Sequence, residues 1–360
     1  MSETEMPSIS TFDKLLPVWI LIAMSLGILL GYFVPSFADV LNSWSFGAVS
    51  IPIAIGLLWM MYPVLAKVKY EELGRLRDEK RMFGLSLVLN WLIGPMLMFV
   101  LAWVFLPDLP DYRVGLILVG LARCIAMVLI WNMMAGGCSE SCAVLVAINS
   151  IMQILLYSFE AWFYITVLSS LIDPSTTTIV AISIIDIAVS VIIFLGIPLV
   201  AGVITRLVLV NKRGAEWYDE EFAPRLGPLA LIGLLFTIVV MFSLKGDVIL
   251  SLPFDVLRIS LPLLAYFMLM FFVSFFLAKR FDFNYDKNVT ISFTASSNNF
   301  ELAIAVTIGV FGIQSGQALA AVVGPLIEVP VLIGLVYVSL WLGRKFYGRE
   351  RGDPLLCENQ

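Results

Sequence analysis

Ten apolar runs, most of them about as long as a bilayer is thick, recur along this chain between short charged stretches. They are Leu16–Val34, Trp44–Ala66, Phe83–Leu106, Val114–Met134, Cys142–Ile172, Ile179–Val210, Leu226–Leu244, Val256–Ala278, Val289–Gly312 and Gln317–Leu342. A helix needs about 20 mostly apolar residues to cross a hydrocarbon layer ~30 Å thick. Barrel strands would instead show alternating segments of about 10 residues. Apolar residues make up 60 % of the chain and charged ones 14 %, with a mean hydropathy of +0.97, whereas soluble domains are about 25 % charged. That is too little polar surface to cover a water-exposed globule of 360 residues. The expected fold class is therefore an all-α polytopic membrane protein of about ten transmembrane helices, with the lipid bilayer as solvent.

The distribution of Lys and Arg sets the expected orientation. With Lys14, the loops after runs 2, 6 and 8, and the C-terminal tail, 18 of the 22 basic residues fall on one side. Arg113, Lys245 and Arg258 fall on the other, and Arg123 lies inside a run. Both termini are expected in the cytoplasm, the chain multi-pass in the cell membrane. The acidic first 14 residues and the absence of a small-residue cleavage site make the first run a retained span rather than a signal peptide. The net charge of −5 and the lack of a basic face exclude nucleic acid as a partner.

Ile55-Gly56-Leu57-Leu58 recurs as Ile232-Gly233-Leu234-Leu235, 177 residues on, and the same offset carries Cys124 onto Glu301. Five spans per half would insert the second half upside down. The expected organisation is a first repeat over 1–175, an inverted second repeat over 176–345 and a cytoplasmic tail over 346–360. Inverted repeats of this kind are the plan of many secondary transporters.

A charge at mid-membrane is costly unless it faces a cavity or a partner. Arg123, Glu160, Asp186, Glu301 and Glu328 are the candidates. Two of them sit in segments that also make poor helices. Span 4 reads Gly120-Leu-Ala-Arg-Cys-Ile-Ala-Met127 and continues to Trp131-Asn132 and Gly136-Gly137; span 9 reads Ser292-Phe-Thr-Ala-Ser-Ser-Asn-Asn-Phe-Glu301. Side-chain hydroxyls and amides compete for the backbone and favour unwinding. Small and polar residues also serve simply to pack helices. Interrupted segments at corresponding places in two halves point instead to a midplane binding site.

The candidate groups there are unusual. Cys124 lies beside Arg123, a fixed cation able to favour its thiolate. Burial penalises the charged form of Glu301, which suits it to carrying a proton. Asn298 and Asn299 add neutral donors and acceptors. A soft thiolate with oxygen-seeking neighbours fits a soft, hydroxylated metalloid better than a carboxylic acid or a sugar, although a lone buried Cys also reads as a small hydrophobe. His is absent, and four cysteines make no disulfide framework.

Gly120-Leu-Ala-Arg-Cys-Ile-Ala-Met127, Trp131-Asn132, Ala147-Ile-Asn-Ser150 and Gln153 resemble the signature of the arsenite-efflux permeases, within the bile-acid/arsenite/riboflavin transporter superfamily. Phe293-Thr-Ala-Ser-Ser-Asn-Asn-Phe-Glu-Leu-Ala303 and Gly324-Pro-Leu-Ile-Glu-Val-Pro330 are similar to its later motifs. The resemblance spans nearly the whole chain. It implies two inverted five-helix repeats with spans 4 and 9 broken and crossing, and a thiol at Cys124 and a carboxylate at Glu301 essential to export of arsenite, and possibly of antimonite, in exchange for protons. Substrate-binding candidates are thus Cys124, Glu301, Arg123, Asn298 and Asn299. Glu301 and Glu328 are candidates for proton coupling, and Asn132, Asn149, Gln153, Ser296 and Ser297 for polar support. No cofactor, metal or catalytic residue is implied.

Several residues stand outside this scheme. Cys138 and Cys142, four apart, read as two unpaired thiols or as a trap for trivalent arsenic. Glu160 and Asp186 read as interior or interfacial. Pro325 and Pro330 are expected to open the backbone of span 10 around Glu328. Within the superfamily the alternative is a sodium-coupled organic-anion carrier of the bile-acid type, with oxygens of Ser296, Ser297, Asn298 and Glu301 as ligands and Cys124 superfluous. An intramembrane enzyme finds no His-Glu or paired-aspartate motif, and no nucleotide-binding loop is present. A channel would not need the repeat with its broken helices.

Overall fold

The computed structural model describes residues 15–46, 49–70, 74, 79–174 and 183–348. In chain order the helices are α1 (Leu16–Phe33), α2 (Pro35–Ser43), α3 (Ile51–Ala66), α4 (Lys80–Phe105), α5 (Pro110–Leu121), α6 (Met127–Met134) and α7 (Ser139–Ile172). They continue as α8 (Ile184–Arg213), α9 (Ala215–Ser251), α10 (Pro253–Arg280), α11 (Tyr285–Ser296), α12 (Phe300–Phe311) and α13 (Gly316–Tyr347). A two-residue ladder, β1 (Ser45–Phe46) with β2 (Val49–Ser50), precedes α3. The second apolar run therefore becomes helical only at Ile51, seven residues later than its apolar character begins.

Among the described residues, six helices, α4, α7, α8, α9, α10 and α13, are long and apolar enough to cross a bilayer, and α1, α3 and α12 are shorter apolar helices. Their outward faces carry large apolar side chains such as Phe33, Val104, Leu155, Val200, Leu257 and Tyr337. Water would penalise such a surface; lipid does not. The chain is a multi-pass helical membrane protein.

Two packing groups emerge. Helix α9 lies along α1 and α3, and α3 along the second half of α8; α10 packs on α4, α11 and α13, and α5 fits between α4 and α13. Small residues let the first group approach closely. A Cβ at Gly56 would fall 2.4 Å from the Thr237 hydroxyl, and one at Gly233 would fall 3.0 Å from the Met60 amide. Each glycine thus receives the residue four beyond the other glycine, and the rings of Trp59 and Phe236 face each other with centroids 6.4 Å apart.

The broken segments lie at the centre of the molecule. Residues 113–125 and 288–308 are buried throughout. Most hydroxyls of α11 are satisfied inside an intact helix: Ser292 and Thr294 donate to the carbonyls four residues back at 2.8 and 2.7 Å. Unwinding is confined to 297–299, a shorter stretch than the polar run suggests, because those back-bonds substitute for solvent. The expected opening of span 10 does not occur. Helix α13 runs unbroken through Pro325 and Pro330, and its 32 residues extend about 48 Å at 1.5 Å per residue.

Candidate functional site

Where α5 ends, Ala122 turns extended (φ −80°, ψ 120°), and where α11 ends Ser297 does the same (φ −96°, ψ 149°). The two stretches cross as an isolated antiparallel bridge between Arg123 and Asn298. Unwinding inside a membrane frees backbone groups that lipid cannot satisfy, and the protein supplies nearly every partner itself. The Asn299 amide donates to the Ala122 carbonyl at 3.0 Å. Asn298 Nδ2 donates to the carbonyls of Val119 (2.9 Å) and Ala122 (3.1 Å), and the Tyr157 hydroxyl to that of Leu118 at 2.9 Å. The Arg123 amide donates to Gln153 Oε1, and the Asn298 amide to Glu328 Oε1, each at 3.1 Å.

The second half-helices are capped by the candidate residues. Cys124 Sγ accepts from the Val128 amide at 3.3 Å, and Asn299 Oδ1 from the Leu302 amide at 3.0 Å. Glu301 sits in the first turn of α12, where the helix dipole favours negative charge. Glu328 projects from the middle of α13, so the amide it satisfies, that of Asn298, belongs to the break between α11 and α12 and not to its own helix. The crossing is buried: Arg123, Asn298 and Asn299 have no exposed surface, and Cys124 and Glu301 are 3 % exposed.

The Arg123 side chain does not serve Cys124 as expected. In extended backbone, successive side chains point to opposite sides. Arg123 Nη1 donates to the Tyr266 hydroxyl at 2.9 Å, and the guanidinium has Glu160 as a charged neighbour. Cys124 has Glu328 and Glu301, but not Arg123, as charged neighbours and the Ser297 hydroxyl at hand, while Glu328 neighbours Arg123 as well. The thiol and the Glu301 carboxyl, 177 positions apart in the chain, are thus electrostatic neighbours at the crossing. The bridge is antiparallel, so at the crossing Cys124 stands opposite Ser297, and Ala122 opposite Asn299, whose amide it accepts.

The supporting residues divide. Gln153 belongs to the crossing through Arg123, and Ser297 donates to the Phe293 carbonyl at 2.8 Å. Asn149, one turn before Gln153, accepts from Trp91 Nε1 at 3.1 Å. Asn132 lies at the far end of α6, accepting from Thr290 at 2.9 Å, and a Cβ at Gly137 would overlap it; it ties α6 to α11 rather than lining the crossing. Glu160 is buried on α7, whereas Asp186 is exposed in the first turn of α8, its amide capped by Ser183. Cys142 is a free buried thiol. Cys138, just before α7, is buried, and its amide donates to the Thr290 hydroxyl at 3.0 Å. Sequence reasoning missed Tyr157 and Tyr266, since a tyrosine in an apolar run gives no sign that its hydroxyl will meet a freed carbonyl or a buried guanidinium.

Most buried polar atoms in folded proteins have a hydrogen-bond partner. Among the described residues, Ser296 Oγ, Asn298 Oδ1, Asn299 Nδ2, Glu301 Oε1 and Glu328 Oε2 have none, and neither do Nε and Nη2 of Arg123. The crossing thus concentrates buried donors and acceptors without partners among the described residues in the same region as one free thiol. Such a set fits a small ligand that both offers and accepts hydrogen bonds and has affinity for sulfur.

Comparison with known proteins gives concordant results. A family model described as Sodium Bile acid symporter family matches residues 54–252. The chain is 52 % identical over 348 residues to the Arsenical-resistance protein Acr3 of Corynebacterium glutamicum, covering 97 % of this chain and 93 % of that protein. It is 33 % identical over 343 residues to the Arsenical-resistance protein Acr3 of Alkaliphilus metalliredigens, covering 92 % and 93 %. An uncharacterised transporter of Synechocystis is 34 % identical over 377 residues, covering 98 % of this chain and 95 % of its own.

Proposed function

Because this chain belongs to the Sodium Bile acid symporter family and, within it, to the arsenical-resistance proteins, we infer that it exports arsenite across the cell membrane through the crossing of α5–α6 with α11–α12. The observation that carries this reading is the cluster of unpartnered buried polar atoms around Cys124. Arsenite presents hydroxyls that donate and accept hydrogen bonds, and a trivalent centre that prefers sulfur to oxygen. Capture replaces one arsenic–oxygen bond by an arsenic–sulfur bond. The thiol proton leaves with the hydroxyl as water, and no oxidation state changes. The oxygen set of Ser296, Ser297, Asn298 and Glu301 also resembles a sodium site, but that reading leaves the thiol without a task.

Export is driven by exchange for protons, with Glu301 as the carrier and Glu328 beside it. A carboxyl in a closed, water-free site is costly when charged. It therefore takes a proton from the outer side as substrate leaves and releases it to the cytoplasm as substrate enters. Antimonite, with the same hydroxylated trivalent chemistry, is a second substrate.

The halves 1–175 and 176–345 are inverted repeats. This reading is supported by the reciprocal fit of Gly56 on Thr237 and Gly233 on Met60, and by the matching hydrogen bonds from Arg123 and Asn298. Helices α1, α3, α8 and α9 form a panel that rocks against the remaining helices, opening the crossing to each side in turn, with both termini in the cytoplasm. The test is uptake of arsenite into everted vesicles under imposed proton or sodium gradients. Proton-driven uptake is the expected result, and uptake that follows only sodium would refute the coupling.

A further inference from the structure

Outside the crossing, one buried charge has no role in the reading above. The side of the bundle opposite the Lys/Arg-rich loops carries three basic residues. Arg113 stacks on the Trp103 ring at 3.7 Å and donates to the carbonyls of Leu106 and Pro107. Arg258 pairs with Asp108. Lys245, near the C-terminal end of α9, is only 1 % exposed, yet its ammonium makes no hydrogen bond or ion pair among the described residues. Asp247, two positions on, is a charged neighbour of Lys245 but is exposed and forms no ion pair with it among the described residues. A buried ammonium without a paired anion is expensive, and its surroundings show what would offset the cost.

Lys245 lines a cavity of about 330 Å³ with Asp111 and Tyr112 of α5 and Gln314, Ser315 and Gly316 at the start of α13. Two helices therefore begin at this cavity, one of 12 residues and one of 32. Pro110 opens α5 without an N–H, so the amides left without an intrahelical acceptor are those of Asp111 and Tyr112 there and of Gly316 and Gln317 in α13, and the dipoles add positive potential. In α13 the Ser315 hydroxyl takes only the Ala318 amide, at 3.1 Å. The acids nearby are engaged: Asp111 Oδ1 accepts from Gln317 Nε2 at 3.0 Å, and Asp255 accepts from the Tyr112 hydroxyl at 2.8 Å.

We propose that this cavity is a binding site for a phosphate-type oxyanion, held by Lys245 from α9 and by the first-turn amides of α5 and α13. The ligand is either free inorganic phosphate or the phosphodiester of an anionic lipid headgroup. It ties the end of α9 to two helices of the other packing group. The proposal does not depend on the arsenite reading, because its test measures binding without transport.

The test uses the purified full chain at constant ionic strength in a sulfonate buffer. One arm titrates inorganic phosphate calorimetrically against the protein in neutral detergent. The other compares thermal unfolding in phosphatidylcholine nanodiscs with and without phosphatidylglycerol. Saturable binding in the first arm identifies free oxyanion, and stabilisation confined to the second identifies the headgroup. Lys245→Met should weaken the positive arm at least ~10-fold, Lys245→Arg should keep it, and Asp111→Asn, which removes an opposing charge but keeps the acceptor for Gln317, should tighten it several-fold. The opposite signs of the last variant and Lys245→Met separate ligand binding from a folding defect. Absence of a response in both arms, or Lys245→Met or Asp111→Asn binding like wild type, would overturn the proposal.

Discussion

Arg123 and Asn298 form an antiparallel bridge at the centre of the molecule, and each donates its amide at 3.1 Å to a side chain 30 residues further along, Gln153 and Glu328 respectively. One acceptor is a neutral amide and the other a carboxyl. The same structural need, a partner for an amide freed by unwinding, is thus met on both sides of the crossing. Only one side gains a group that can also hold a proton.

This relationship predicts how substitutions at the two acceptors divide. Glu328→Gln and Gln153→Glu keep an oxygen for the amide and should fold with little loss. Glu328→Leu and Gln153→Leu should each destabilise by about 1–3 kcal/mol, the cost of a buried unsatisfied group. Thermal unfolding in detergent measures both pairs, and a Leu variant as stable as its polar counterpart would remove the capping role.

Cys124→Ser should abolish most arsenite export while the protein stays folded, because the serine oxygen still accepts from the Val128 amide. The loss expected in everted vesicles is roughly tenfold or more, equivalent to about 1.4 kcal/mol or above. Uptake near the wild-type rate would exclude the thiol from substrate capture.

Glu301→Gln fixes the neutral form at nearly constant size. Proton-driven export should stop, while arsenite binding to the purified protein persists. Export by this variant with an unchanged pH dependence would move the proton path to Glu328.

Outside the spans, the Arg258 guanidinium, followed by a backbone hydrogen bond, holds the Asp108 carboxyl below the usual carboxylate range. A depressed folded-state value means that the stabilisation is complete above the ordinary aspartate value of about 3.9 and is lost as pH falls through the depressed one. Hydrogen exchange in the turn between α4 and α5, corrected for intrinsic rate, should accelerate only in that acid window. In Asp108→Asn it should be fast already at neutral pH. Both side chains are exposed, so added salt should weaken the effect.

Gly31 of α1 is so close to α9 that a Cβ would fall 2.2 Å from the Ser243 carbonyl oxygen. Gly31→Ala must push the helices apart and should cost about 1–3 kcal/mol, read as a lower unfolding temperature with the crossing intact.

The sequence alone determined that this is a helical membrane protein, because apolar length and the scarcity of charge are local properties that lipid reads directly. It also marked spans 4 and 9 as breakable, since hydroxyls, amides and glycines compete with helical hydrogen bonds wherever they stand, and Cys124, Glu301, Asn298 and Gln153 were legible from that composition and the motif resemblance. Tertiary structure alone decided the partners. Whether Pro325 and Pro330 open a helix depends on its neighbours, and here they leave α13 intact. Whether Arg123 serves Cys124 depends on backbone direction, and the extended bridge turns them apart. The roles of Tyr266, Tyr157 and Lys245 arise from groups more than 35 positions away, and a buried hydroxyl or ammonium carries no mark in the sequence of what it will face. Local composition fixes where a backbone group is freed; only the packing of distant segments fixes what satisfies it.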